Sequence, residues 1–318
     1  MELAYHQSNS RHQTQFVAFH NIALGTIVAA ETPLLFVECP TDTRGWTDQV
    51  DAAFFATEVA GETHFIRSAL EKISKPSLAL FRQLPCTNKQ HKNILRDIRQ
   101  VQEHAIPVRV TRHEGRPIIG LAVFDGISKI SHSCQPNAAF EWTGTHGEVR
   151  VTRNVRSGQS IVLDRLPGAL WCSSAQERQT FLRERLSRSC GCEDCKPANV
   201  ADSDTKRALV QRLHLRLGEA RTMPPLEYAS SFRTDAGYVD QLLGEAFQYG
   251  GLLVNMGLYD IRLAEAHYAA ANILAATGRN TDAVQYATHA LAIIARAYGT
   301  RSSRISWMVL EILRLHVA

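Results

Sequence analysis

Three cysteines stand within six residues, in Cys190-Gly191-Cys192-Glu193-Asp194-Cys195, although the chain of 318 residues has only seven cysteines. The spacing C-x-C-x-x-C brings three thiolates onto one tight loop, and a tetrahedral Zn²⁺ needs a fourth ligand from elsewhere. Cys134 is the best candidate because it lies in a polar, proline-containing turn, and its neighbour His132 is the runner-up. A reactive thiol cluster or chance spacing is the alternative. Disulfides are disfavoured, since nothing at the N-terminus looks like a secretory signal. The sequence therefore predicts a structural zinc site.

The composition is that of an ordinary soluble globular protein, with 45% hydrophobic and 21% charged residues. The length favours two domains. A net charge of +4 and an isoelectric point near 8.7 are too mild to favour a nucleic-acid partner. No apolar run approaches the ~20 residues that span a bilayer. We therefore expect a protein of the cytoplasm or the nucleus that binds neither nucleic acid nor membrane.

Strand-like segments frame a helical one. From Phe16 the chain alternates, with turn residues at Asn21 and Gly25, which predicts two short strands. From residue 41 to about 104 the apolar spacing is helical, and Pro76 is expected to stop one of its helices. The predicted helices of this segment are 50–59, 65–73 and 95–101, and further on we predict strands at 108–123, 140–142, 148–155 and 160–163 and a helix at 176–186. The arginines at the end of this region are expected to form a solvated helix face: Arg178, Arg183, Arg185 and Arg188.

The C-terminal part differs in composition. Residues 199–204 form a polar linker in this interpretation, and residues 206–318 are almost wholly helical in pattern. Residues 263–294 match the tetratricopeptide pattern, with small residues where paired helices approach closely: Ala271, Gly278, Ala283, Ala287 and Ala290. One repeat of ~34 residues is too few for a free-standing solenoid. We expect a helical domain that packs against the preceding one, closing one wall of a cleft or presenting a surface to a protein partner.

The signature turn and the cysteine loop carry a family resemblance. Ser131-His132-Ser133-Cys134-Gln135-Pro136-Asn137, followed by residues 190–195, resembles the Asn-His-Ser-Cys-x-Pro-Asn and post-SET Cys-x-Cys-x-x-Cys signature of SET-domain lysine methyltransferases, in particular the SMYD branch and its fungal relatives. Further matches are Gly120 to Phe124, Ser128, the Gly158 to Ile161 step and the opening segment from Phe16 to Leu35.

The resemblance implies an α+β fold. It predicts a SET-like β-fold over residues 1–198 with a helical insert at about 41–104 and a zinc-stapled post-SET loop at 190–195, then an all-α, tetratricopeptide-like domain at 206–318. The zinc finger of the MYND type that SMYD proteins carry in the insert is not expected, because this segment offers only Cys39 and Cys86.

The chain departs from the family at positions that serve the cofactor or the lysine. The family's Gly-x-Gly falls on Gln13 and Gln15, and its signature Asn on Ser131. The Tyr at the methyl-transfer point falls on Arg165, and an aromatic pair of the lysine channel falls on Leu186 and Arg188. A guanidinium stays charged at working pH and repels an incoming lysine, and the channel loses its cation–π surface. Loss of lysine methylation is the favoured interpretation, and local slippage of the alignment is the other.

The candidate site residues follow from this comparison. The catalytic candidates are Arg165, Asp164 and Arg188, and Ser131 and His132 would bind S-adenosylmethionine if that doubtful cofactor binds at all. The remaining candidates are the pocket residues Phe124, Asp125, Leu186 and Trp171 and the metal ligands Cys134, Cys190, Cys192 and Cys195.

Three functions fit the sequence. In the first, the former cofactor and lysine pocket holds a small molecule, with a cyclisation or isomerisation independent of S-adenosylmethionine as the reaction considered. In the second, the chain is an active protein-lysine methyltransferase. In the third, it is a non-catalytic interaction module that works through its C-terminal helices. The sequence does not identify the ligand.

Overall fold

The computed structural model of the chain describes residues 4–7, 14–39, 63–86, 94–111, 117–223, 228, 236–300 and 302. Gln13 and the helix predicted at 50–59 lie outside the described residues. The strands are β1 (Ala4–Gln7), β2 (Thr14–Val17), β3 (Ile27–Glu31), β4 (Leu35–Cys39), β5 (Ile106–Thr111), β6 (Pro117–Val123), β7 (Ser131–His132), β8 (Ala138–Trp142), β9 (Gly147–Val151) and β10 (Val162–Leu163). The helices are α1 (Thr63–Lys72), α2 (Lys75–Gln83), α3 (Ile94–His104), α4 (Ala175–Leu186), α5 (Val200–Arg216), α6 (Gly218–Thr222), α7 (Ala236–Asn255), α8 (Ile261–Ala276) and α9 (Asn280–Tyr298).

The strands form several small sheets. Two of them have three strands each, in the orders β3-β9-β8 and β4-β6-β5, and the pairs in both are antiparallel. The short strands β7 and β10 pair in parallel, with Val162 opposite Ser131 and Leu163 opposite His132. This pairing brings the signature turn beside Asp164 and Arg165, which follow β10 directly. Residues that are 30 positions apart in the chain therefore meet at one place.

The insert is helical in its described part, and Pro76 has a second role there. It follows Ser74, whose hydroxyl accepts a hydrogen bond from the Ser77 N–H at 3.2 Å and so caps α2. Proline is tolerated in the first turn of a helix because the N–H that it lacks has no partner there. Pro76 therefore separates α1 from α2 and also begins α2, which the sequence analysis missed.

The C-terminal part is helical as predicted, but the linker prediction was wrong. Residues 200–204 are the first turns of α5, and Ser203 is buried. Asp204 accepts a hydrogen bond from the Ala175 N–H at 2.7 Å, at the first residue of α4. Polar residues predominate here because one side of α5 faces solvent while its other side packs on the preceding region.

Helices α8 and α9 pack on the β8 strand. Ala139 of β8 shares a buried apolar cluster with small and large side chains of both helices: Ala264, Tyr268, Ala290, Ile294, Ala297 and Tyr298. Nearby, the Ser302 hydroxyl donates to the Glu141 carboxylate at 2.8 Å, and both residues are buried. The helical region and the β-region are thus joined by an apolar contact and a buried polar one. Within the described residues, no helix has both the length and the apolar character needed to cross a bilayer.

Gly120 on β6 leaves room for an aromatic side chain, which gives a stability prediction. A Cβ at this position would lie 2.6 Å from Cε2 of Phe36 and 3.2 Å from the Val37 carbonyl oxygen. Because overpacking of this kind costs about 1–3 kcal/mol, we expect Gly120→Ala to lower the free energy of unfolding by that amount in urea denaturation. The matched control is Gly251→Ala on α7, where a Cβ meets no atom within 4 Å. That variant should gain about 0.5–1 kcal/mol from helix propensity, and equal effects of the two substitutions would contradict the packing described for β6.

Candidate functional site

Four cysteine thiols converge between the signature turn and the loop after α4. The Sγ atoms of Cys134, Cys190, Cys192 and Cys195 all lie within 4.8 Å of one another. Cys134 is 4.0 Å from Cys190 and 3.6 Å from Cys195, measured between sulfur atoms. The cysteines predicted from the spacing are therefore the ones that come together, and they could hold a metal ion.

The cluster fits a tetrahedral zinc ion. Four sulfurs at ~2.3 Å from Zn²⁺ stand about 3.8 Å apart, which agrees with the 3.6 and 4.0 Å separations. Hydrogen bonds with the other three thiols and then burial raise the pKa of the Cys134 thiol above its usual range when no cation is present. A divalent cation would favour the thiolate instead. The four thiols would hold such an ion as a closed site, which is the arrangement of structural rather than catalytic zinc.

His132, the runner-up ligand, lies beside the thiols as a hydrogen-bond donor. Its Nδ1 accepts the Arg165 backbone N–H at 3.0 Å. In a neutral ring, Nε2 then carries the proton, and it faces Cys134 Sγ at 3.5 Å. Burial lowers the pKa of His132 to about 4, so the ring is neutral near pH 7. An N–H directed at a thiolate stabilises its negative charge, so the geometry gives His132 a supporting position.

Two buried arginines lie against the same cluster. Arg178 is fully buried, donates to the Ser173 carbonyl and approaches Cys195 Sγ at 3.9 Å. Four thiolates around one Zn²⁺ carry a net charge of about −2, which a nearby guanidinium offsets. The sequence interpretation of Arg178 as part of a solvated face was wrong, whereas Arg183 of the same helix is exposed.

Arg207 connects α5 to the thiol loop. Its guanidinium donates to the Trp171 carbonyl, to the Cys134 carbonyl at 3.2 Å and to the Asp194 carboxylate. The side chain is 1% exposed. Arg207 was not predicted from the sequence, although a signal was present. The buried positions of α5 follow helical spacing, and Arg207 is one of them, with Ser203, Val210 and Leu213.

Arg165 turns its side chain into the protein. Its Nη2 donates to the His104 carbonyl at 3.2 Å and to the Ala105 carbonyl at 3.5 Å, at the C-terminal end of α3. Its Nη1 is buried and has no hydrogen-bond partner. Burial and then the charge of Arg188 lower the pKa of Arg165 to about 9, so the guanidinium remains charged at neutral pH. The insert helix thus fixes the residue that stands at the predicted transfer point.

Asp164 lies 3.6 Å from His132 Nδ1, and together with Trp171 it also takes part in a second contact. Arg262 of α8 donates to Asp164 at 2.7 Å and to Asp260, and its guanidinium carbon lies 5.0 Å from the centre of the Trp171 ring. Trp171 is buried in the core of the C-terminal helices. The structure therefore places these two candidates where the helical region docks, and the sequence analysis did not predict Arg262.

The other predicted pocket residues have separate surroundings. Phe124 is buried in the core of the β-region, with Phe140 at 5.7 Å between ring centres. Asp125 follows in a turn, half exposed, and pairs with Lys129 at 2.7 Å. Leu186 is buried in one cluster with Leu182, Cys134 and Cys190. Arg188 follows the left-handed Ser187 at the end of α4. The structure thus brings the thiols together, but it divides the predicted pocket residues between core, turn and interface.

His104 gives the fold a testable pH dependence. Its Nε2 lies 2.6 Å from the Pro85 carbonyl, and burial lowers its pKa to about 4, with a smaller contribution from Arg188 and Arg165. The unfolded chain binds a proton near pH 6.5 that the folded chain binds only near pH 4, so stability falls as pH falls through this window. Replacing His104 with glutamine should remove about 1 kcal/mol of the stability difference between pH 7.5 and 5.5. Urea denaturation of both proteins at both pH values measures it, and any loss of metal at low pH affects both alike. Identical pH slopes would contradict a neutral, buried His104.

Part of the chain is similar in sequence to known proteins. No protein-family model matches the chain. N-lysine methyltransferase SMYD2-B of Danio rerio is 28% identical over 111 residues, which are 35% of this chain and 24% of that protein. Histone-lysine N-methyltransferase SMYD3 of Homo sapiens is 27% identical over 78 residues, 24% of this chain and 18% of that protein. N-lysine methyltransferase SMYD2 of Homo sapiens is 24% identical over 95 residues, which are 30% of this chain and 21% of that protein.

The matched residues span at most 24% of the length of these relatives. The relatives nevertheless agree in kind, since each is described as a lysine methyltransferase of the SMYD type. They are also the group that the signature turn and the cysteine loop resemble. Part of the chain is therefore similar in sequence to lysine methyltransferases of the SMYD type.

Proposed function

We propose that the chain is a SET-like, zinc-stapled protein that has lost lysine methylation and uses the former cofactor and lysine pocket for a small molecule. One observation carries the proposal. Arg165 stands where the resemblance puts the reacting Tyr, and its guanidinium is held inside the protein by the His104 and Ala105 carbonyls. A charged side chain is thus fixed at the position that has to receive a neutral amine.

Methyl transfer to lysine fails here for an electrostatic reason. The lysine must lose its proton and approach in line with the methyl group. A buried guanidinium beside it opposes its approach in the charged form, because like charges interact strongly where water is excluded. The burial of Leu186 beside Cys134 and Cys190 also supports the proposal, because an aliphatic side chain in that core offers no cation–π surface.

The same geometry suits a small molecule with oxygen atoms. A guanidinium that is already fixed can donate to a carbonyl or carboxylate without further ordering. Cyclisation and isomerisation require the substrate to be shaped and its developing negative charge to be stabilised, which such a donor can do. The proposal places this protein in the cytoplasm or nucleus and gives zinc a purely structural role.

A thermal-shift screen of the zinc-loaded chain against small molecules tests the proposal. Compounds that raise the melting temperature of the native protein, and lose this effect in Arg165→Met, would support a ligand site at this position. A screen that includes S-adenosylmethionine and finds stabilisation by that compound alone would contradict the loss of its binding.

The second candidate is an active protein-lysine methyltransferase. The names of the similar proteins favour it, since all three are lysine methyltransferases by name. Transfer of a labelled methyl group from S-adenosylmethionine to lysine peptides would establish it. Transfer that disappears in His132→Ala but persists in Cys172→Ser would assign the activity to this site.

The third candidate is a protein-interaction module. An aromatic surface on the C-terminal helices favours it: Phe247 is 45% exposed and stacks on Tyr286, with ring centres 5.4 Å apart. Solvent-exposed aromatic side chains are common anchors of protein interfaces. Loss of a stable partner on Phe247→Ser, with the melting temperature unchanged, would support this function.

A further inference from the structure

The buried end of Arg165 has an unused hydrogen-bond donor. Its Nη1 carries two N–H groups, is buried, and has no partner. Within the part of the chain that the structure describes, the other arginine nitrogens in this condition are Nε atoms, with one N–H each. The residue as a whole keeps partial contact with solvent. A buried polar group without a partner requires an explanation, and one explanation is a binding partner outside the chain.

Positive charge predominates around this donor. Arg165 and Arg188 lie close enough for the charge of Arg188 to lower the pKa of Arg165. Arg99 of α3 contacts the residue before Arg188, with Nη2 2.6 Å from the Ser187 hydroxyl. Glu103 offsets one of these charges, since its carboxylate accepts from Arg99 at 2.9 Å and from Ser187 at 3.0 Å. We call Arg99, Glu103, Arg165 and Arg188 the arginine cluster.

Three other described groups near the cluster offset little of its charge. The carbonyl ends of α3 carry about half a negative charge, which offsets part of Arg165 alone. Asp164, its neighbour in the chain, contacts Arg262 at 2.7 Å. His104 is neutral near pH 7, because burial lowers its pKa to about 4. Glu103 thus serves two of the guanidinium groups, since it accepts from Arg99 and its charge acts on Arg188, whereas Arg165 has only the carbonyls at the end of α3 as hydrogen-bond acceptors among the described residues.

The backbone before Arg188 is held in a strained form. Ser187 has φ +51°, a left-handed conformation that non-glycine residues rarely adopt. Its hydroxyl is fixed by Arg99 and Glu103 of α3, so the insert helix supports the strained turn. Strain of this kind persists only where the surroundings enforce it, and it is frequent at binding sites. The position of Arg188 is therefore set by contacts from a different part of the chain.

We infer that the arginine cluster is an anion subsite, in which Arg165 Nη1 donates to an oxygen of a carboxylate or phosphate group on the ligand. The inference rests on the proposed function and names its ligand class: a small molecule with a negatively charged oxygen group. The shared chemistry is the oxyanion, because a guanidinium binds carboxylate and phosphate equally well in geometry. The bound group supplies the missing acceptor for Nη1 and part of the missing negative charge.

Isothermal titration and thermal shift with simple probes test the inference. The zinc-loaded full chain is titrated with inorganic phosphate, with succinate and with neutral succinamide, and sodium chloride matches the ionic strength. We expect phosphate or succinate to bind and raise the melting temperature, and succinamide to have no effect. Arg165→Met should weaken the anion binding about 10- to 100-fold, because a charge-assisted hydrogen bond is lost. Arg216→Met is the matched control, since Arg216 is exposed and pairs with Glu245 at 3.3 Å, and it should bind like the native protein.

A second variant keeps the test decisive if Arg165→Met does not fold. Arg188→Met removes one charge of the cluster and leaves the contacts between Arg165 and the α3 carbonyls in place, so it should weaken anion binding in the same direction. Anion binding that is equal in the native protein, Arg165→Met and Arg188→Met would overturn the inference. So would the absence of phosphate and succinate binding in the native protein.

The outcomes separate the inference from the proposed function. Stabilisation by neutral compounds alone, dependent on Arg165, would overturn the anion subsite and leave the small-molecule pocket intact. Methyl transfer to lysine peptides would overturn the proposed function whatever the anions do. Phosphate binding without succinate binding would narrow the ligand class to phosphate groups, and the reverse result would narrow it to carboxylates.

Discussion

Cys134→Ser is expected to lower the free energy of unfolding by about 5 kcal/mol, and with it the melting temperature by roughly 10 °C or more. Cys134 is the proposed ligand from outside the cysteine loop, so a bound metal ion would join the signature turn to the loop after α4. Cys134 is 2% exposed, and its sulfur lies within 4.8 Å of the other three thiols. Loss of this ligand opens a closed site and leaves three thiolates with an incompletely bound cation. Zinc content by mass spectrometry of the metal should fall from one ion per chain, and calorimetry should record the change in melting temperature.

Cys172→Ser is the matched control for this substitution. Cys172 is also buried, at 1% exposure, but its thiol donates to the Ala169 carbonyl at 2.9 Å instead of joining the cluster. A serine hydroxyl can keep that hydrogen bond, so zinc content should be unchanged and the loss of stability small. Equal zinc content in Cys134→Ser and Cys172→Ser would contradict the assignment of Cys134 as a ligand.

Arg207→Met is expected to lower the free energy of unfolding by about 3–5 kcal/mol, which is the second largest expected loss of stability. The guanidinium is 1% exposed and joins α5 to three other segments. These are the segment of the Trp171 carbonyl, the signature turn through the Cys134 carbonyl, and the cysteine loop through Asp194. Without it, the Asp194 carboxylate keeps the Gln135 amide at 2.8 Å but loses its ion pair. Removing one partner of a buried pair leaves a charge that is neither solvated nor compensated. Denaturation in urea measures this loss in the free energy of unfolding, after the variant has been shown to hold as much zinc as the native protein.

Arg216→Met on the same helix provides the comparison. Arg216 is 42% exposed, and its pair with Glu245 at 3.3 Å lies at the surface. Exposed ion pairs contribute little to stability, because water and salt screen them. We therefore expect the free energy of unfolding to change by no more than about 0.5 kcal/mol. If both variants lost the same stability, the link between α5 and the thiol loop would not be the reason for the loss.

Local patterns in the sequence predicted much of the architecture. The cysteine spacing identified three thiols that share a loop, and the polar turn around Cys134 supplied the fourth. Alternating and helical apolar spacing found the β5 and β6 strands, the β8–β9 hairpin and helices α1, α3 and α4. These features depend on neighbours within a few residues, so they are visible without the fold. The prediction at Pro76 was incomplete, since a proline that ends one helix can also lie in the first turn of the next.

Tertiary contacts decided what the sequence analysis missed. Arg178 and Arg207 look like solvent-facing charges until the thiol cluster is placed beside them. The acceptors of Arg165 come from α3, 60 residues earlier in the chain, and Asp164 is bound by Arg262, 98 residues later. Alignment with the family signature identified Arg165 as the residue to examine, but its burial and its unpartnered Nη1 required the structure. Outside the cysteine motif, the sequence pattern did not indicate which distant polar groups meet.

Isothermal titration with S-adenosylmethionine tests the central claim most directly. Under the proposed function, the zinc-loaded full chain should show no binding at millimolar cofactor, since the positions that the resemblance assigns to the cofactor and its lysine carry Ser131, Leu186, Arg165 and Arg188. An active SMYD-type protein measured in parallel shows that the cofactor is competent. Binding with a micromolar dissociation constant would contradict the account, because a cofactor site of that affinity would still be in place beside His132.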